Sequence, residues 1–97
     1  MNISELLDGI AARPMMYLGD NSIFSLKAFL DGFVMGQEDN GQNSTFMVNF
    51  QKWIAERYSI DSSHSWARII DFYSSHQTEA IDTALKLFME FKDNYKF

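Results

Sequence analysis

The side chains that could carry chemistry are two histidines, thirteen carboxylates and a run of hydroxyls, and their spacing decides what they can do. His64 and His76 stand twelve residues apart, so they do not form the i, i+4 pair that grips zinc from one helix face. No third ligand accompanies them, and acid–base catalysis needs a partner within hydrogen-bond reach. Both are read as surface or helix-capping histidines. Ser62-Ser63-His64-Ser65 sets hydroxyls beside an imidazole, yet no glycine-flanked serine follows a strand pattern as a nucleophile elbow requires. Helix capping accounts for those serines. Glu79 with Asp82, and Glu90 with Asp93, are i, i+3 pairs that fall on the solvated side of an amphipathic helix. The Glu-x-x-His elements of a di-metal bundle and the glycine-rich loop of a phosphate site are both missing. The expectation is a chain without catalytic residues, metal or cofactor. Its densest acidic group, Glu38 and Asp39 beside Asn40 with Asp31 shortly before, is read first as a solvated polar loop and alternatively as a landing place for the cationic groups of a partner protein.

Bulk composition narrows the class. Ninety-seven residues make one domain, 1–97, with no room for a second core. A 46% hydrophobic and 15% aromatic content belongs to a folded globule. Most of the nine Phe, four Tyr and two Trp are expected to fill a core, and a surplus would line an interface. There is no cysteine, which removes disulfides and thiolate chemistry and fits a reducing compartment. A signal peptide and a membrane-length apolar run are both lacking, so a cytoplasmic location is expected. The net charge of -5 argues against nucleic acid, which needs a cationic footprint; it permits a basic protein partner, although keeping a small domain soluble is the commoner reason for such a charge.

The elements that would position these residues are helices. Residues 2–12 open with Asn2 and Glu5 as an approximate capping box, and Leu6, Leu7 and Ile10 form the apolar stripe. Pro14, the only proline, ends this helix. A short extended turn segment at about 14–20 follows, with Gly19-Asp20-Asn21-Ser22 serving as turn and cap. Helical spacing then predicts a helix over 22–37 and another over 44–58, capped by Asn43 or Ser44, with Lys52 and Glu56 paired outside. Further helices are predicted over 63–74, carrying Trp66, Ile69, Ile70 and Tyr73, and over 78–95, capped by Thr78. Gly32 and Gly36 mark a place where another helix could come close. The expected fold class is all-α, a four- to five-helix bundle.

Two resemblances attach to the stretch Arg13-Pro14-Met15-Met16-Tyr17-Leu18-Gly19-Asp20. It is similar to a segment of type II topoisomerase ATPase subunits, but Met15 replaces a glycine and the nucleotide-binding elements are missing. The second resemblance spans nearly the whole chain. Arg-Pro-x-Met-Tyr-Leu-Gly, then Ser22-Ile23, Leu26, Phe29-Leu30 and Gly32-Phe33, resembles small bacterial immunity proteins of toxin–immunity systems, including contact-dependent growth inhibition. The same pattern continues through Phe50, Trp53 and Ile54, through Ser65-Trp66-Ala67-Arg68-Ile69-Ile70, and through Glu79-Ala80 to Phe88 and Phe91. That resemblance implies an intracellular antidote, not an enzyme, that binds one toxin domain. A basic nuclease is the expected target, with its active site or substrate access blocked. Asp31, Glu38 and Asp39 are the first expected contacts, with Tyr17 and Asp20 at the turn as the second. Arg13, Pro14, Tyr17 and Gly19 are read chiefly as fixing the chain between the first two helices. A monomer is expected when the protein is free. The alternative is a regulatory or adaptor domain that self-associates through its aromatic surplus.

Overall fold

The computed structural model describes residues 2–36, 41–60 and 64–95. Among them the regular structure is entirely α-helical, in six helices: α1 (Ile3–Ala12), α2 (Pro14–Leu18), α3 (Ile23–Gly36), α4 (Gln42–Arg57), α5 (Trp66–Phe72) and α6 (Gln77–Asp93).

α1 begins as its sequence dictates. Asn2 accepts the Glu5 N–H at 2.9 Å and the Glu5 carboxylate accepts the Asn2 N–H at 3.2 Å, a complete capping box. Its stripe of Ile3, Leu6, Leu7 and Ile10 is fully buried. The expected extended segment after Pro14 is instead the short helix α2, which accounts for the helix beyond the expected four or five. Proline at a first helical position has its dihedral preset and loses only an N–H that had no helical partner. The turn then closes where Gly19, at φ +74°, donates its N–H to the Met15 carbonyl at 3.1 Å.

Tyr17 locks this corner. Its ring meets Phe29 edge-on at 6.2 Å, and its hydroxyl lies so close to Gly9 that a Cβ there would stand 2.7 Å away. The glycine inside α1 therefore has a packing reason that offsets its poor helix propensity. α3 is capped from the turn. Ser22 Oγ accepts from Phe24 and Ser25 N–H, while Asp20 accepts from Ser22 N–H and from Ser25 Oγ, each at 3.0 Å.

The core is a layer of rings. Phe50 of α4 stacks on Phe88 of α6 at 3.8 Å, and Trp66 of α5 meets both edge-on. Phe46 and Phe91 extend the layer to Tyr95. Fully burying such side chains contributes about 1.5–3 kcal/mol each, so this layer is a principal source of stability. Leu26 and Leu30 bring α3 onto it, packed against α5 and α6.

Three helix starts differ from the sequence expectation. α4 is preceded by Gly41, with no side-chain cap, and Asn43 turns inward. Asn43 is 1% exposed and its Oδ1 accepts the Ile3 N–H at 3.0 Å, joining the first turns of α1 and α4. A donor that α1 could not satisfy within itself takes precedence over a local cap. α5 starts at Trp66 behind Ser65, whose side chain accepts the Arg68 N–H. α6 is capped by His76 rather than Thr78: the imidazole Nδ1 accepts the Glu79 N–H at 3.1 Å. Lys52 and Glu56 form no ion pair, while Arg57 reaches Glu90 at 3.1 Å and Lys92 reaches Asp8 at 3.2 Å. A Cβ at Gly32 or Gly36 would meet none of the described residues within 4 Å, so no described helix packs closely there.

Candidate protein-binding face

α3 and α4 each pack on α5, and α3 also on α6, without forming a principal pair with one another. A groove of about 690 Å³ lies between them. Lys27, Asp31 and Met35 of α3 form one side, Val48 and Lys52 of α4 the other, with Trp66 of α5 beneath. Most of its wall is apolar, because both helices carry hydrophobic residues beyond those the core absorbs. Met35 is 87% exposed and Val48 52%. Phe24, 48% exposed, lies three turns before Met35, and residues 24, 28, 31 and 35 follow the spacing of one helix face. α3 thus buries Ile23, Leu26 and Leu30 while presenting Phe24, Ala28, Asp31 and Met35 to solvent.

Of the expected contact residues, Asp31 is on this face. It is held in an i, i+4 ion pair by Lys27, so its charge is already partly balanced. Tyr17 and Asp20 lie at the α2–α3 corner, and both are occupied within the fold, by Phe29 and Gly9 and by the cap of α3. Glu38 and Asp39 lie outside the described residues. The structure therefore does not gather these five side chains into one described patch.

Other carboxylates serve the scaffold. The Ser75 N–H, 2.6 Å from Glu79, holds that carboxyl below its ordinary value of 4.5. Burial raises the Tyr58 phenol above 10.0 against the opposing pull of Arg57, and the ring stacks on Tyr73 at 5.1 Å. His76 is engaged as a cap, and no group of His, Asp and Glu among the described residues is arranged to hold a metal. None of the described helices is long and apolar enough to cross a membrane.

The sequence reading passed over Gln51. Its amide accepts the Trp66 N–H at 2.6 Å and donates to the His64 carbonyl at 2.9 Å, fixing the approach to α5. Nothing in its spacing signals this, since the partners are thirteen and fifteen residues away. The outward α3 stripe was detectable: Phe24, Ala28 and Met35 recur at helical spacing opposite the core positions. Comparison with known protein families, curated proteins and solved structures finds no match.

Proposed function

We propose that this chain is a non-enzymatic immunity protein, which binds a toxin domain and blocks its active site or its substrate access. The observation that carries the reading is the outward face of α3, where Phe24 and Met35 flank Asp31 in solvent beside the α3–α4 groove. Apolar side chains exposed in a row on a small folded domain are a usual mark of a protein-binding surface. Anchors of this type, set beside charged groups, are how interfaces concentrate their affinity. The net charge of -5 favours a basic target such as a nuclease, which the protein attracts by imitating phosphate. The family resemblance of the sequence supplies the toxin–immunity context.

The test is capture of partners by the full chain in its native cell extract, followed by assay of the captured protein's toxicity with and without the bait. Stoichiometric capture of a basic toxin domain whose activity the bait abolishes is the expected result. Met35→Glu should then weaken capture while leaving the melting temperature unchanged. Capture of no toxic partner while the neighbouring genes are expressed, together with a concentration-independent dimer in light scattering, would overturn the reading and favour self-association.

A further inference from the structure

A second concavity, away from the α3 face, opens beside α5. It measures about 350 Å³ and is lined by Ile60, His64, Arg68, Ile69 and Phe72. This volume lies at the small end of the range of small-molecule pockets. Its body is aliphatic and aromatic. Ile69 forms the buried wall, whereas the Phe72 ring is 77% exposed and is not needed by the core. Arg68 and Phe72 are an i, i+4 pair, so guanidinium and ring stand together on one side of α5. Among the described residues, the side chains of Arg68 and His64 make no hydrogen bond and no ion pair. Arg68 is exposed, and no described carboxylate pairs with it, so its guanidinium at the mouth of the apolar pocket is available to an anion. Gln51, by tying down His64 and Trp66, keeps the wall in place without ligand.

We propose that this pocket binds a small aryl carboxylate: the ring lies against Ile69 and Phe72, and the carboxylate takes two parallel hydrogen bonds from Arg68 with His64 beside it. One planar guanidinium matches one carboxylate, whereas a phosphate dianion would require further donors than the pocket supplies. The site is separate from the α3 face, so its failure and the failure of the proposed function are distinguishable.

Indole-3-acetate is the probe, titrated into isotope-labelled protein at millimolar concentrations while amide shifts are followed. Saturable shifts confined to His64, Arg68 and Phe72 and their neighbours are expected. The neutral isostere indole-3-acetamide should bind about tenfold more weakly or worse, and Arg68→Gln should lose a similar factor, as removal of a charge-assisted hydrogen bond predicts. Phe72→Ala should weaken binding of acid and amide alike. Equal binding of the acid and its amide overturns the proposal, as does affinity unchanged in Arg68→Gln, or no saturable shift in the wild-type protein. The acid–amide comparison uses wild-type protein alone and so does not depend on any variant folding.

Discussion

The hydrogen bond from Ile3 N–H to Asn43 Oδ1 gives the sharpest test of how this fold is held. Ile3 is the first residue of α1, where no helical carbonyl can receive its N–H, and it is fully buried. Replacing Asn43 by Leu keeps side-chain bulk but removes the acceptor, stranding a donor away from water at a cost of about 1–3 kcal/mol. Asn43→Ala adds lost packing contacts and should cost about 1 kcal/mol more. For a domain of this size each kcal/mol moves the midpoint by roughly 4–8 °C, so the Leu variant should melt on the order of 10 °C lower. Urea denaturation followed by circular dichroism measures the loss, with an unchanged slope confirming that the change lies in stability. Amide exchange adds a local readout: the Ile3 N–H should exchange faster in Asn43→Leu. The Asn2–Glu5 capping box is untouched, so the effect cannot come from a frayed cap. A Leu variant within about 0.5 kcal/mol of wild type would refute the reasoning, because surface-like behaviour at a 1% exposed position means the bond contributes nothing.

Further outcomes follow from single residues. Gly19 sits at φ +74° with nothing within 4 Å of where a Cβ would stand, so Gly19→Val tests conformation alone. It should cost about 1–2 kcal/mol or more, and unchanged thermal stability would contradict the assigned turn. Glu79, whose folded carboxyl titrates below its ordinary 4.5, contributes stability that is present above that value and is lost as pH falls through the lowered one. Glu79→Gln should therefore differ most from wild type at neutral pH and converge with it in acid; a difference independent of pH would sink that assignment.

Where the sequence was readable, a local rule carried the information. The capping box and buried stripe of α1 and the turn at Gly19 each involve neighbours within one or two helical turns. The misreadings share the opposite cause. Met15 to Leu18 looked extended because a proline usually ends a helix, yet here it ends one and begins the next. Asn43 has the chemistry of a cap, and its true partner is forty residues away. Thr78 was a plausible cap, but an imidazole nitrogen two residues earlier accepts the same class of N–H. The contact residues were the least legible. Tyr17 and Asp20 also read as fixing the corner and capping the next helix, and the structure supplies the partners: Phe29 and Gly9 for Tyr17, Ser22 and Ser25 for Asp20.

Charge on the α3 face bears on how a basic partner would be drawn in. At a distance, Asp31 and the Lys27 ammonium beside it nearly cancel, and Lys52 across the groove adds a further positive charge. Long-range attraction of such a partner would therefore come from the excess of thirteen acidic over eight basic residues across the whole chain, not from Asp31. Two consequences separate these contributions. Asp31→Asn should leave the association rate with the proposed basic partner within about threefold of wild type, while added salt should slow both proteins alike. Lys27→Gln should accelerate association, because it removes a positive charge and uncovers Asp31. Stopped-flow measurement across a salt series resolves both. A drop of more than about tenfold for Asp31→Asn would place the steering charge on α3 itself and make the Lys27 pairing irrelevant to encounter.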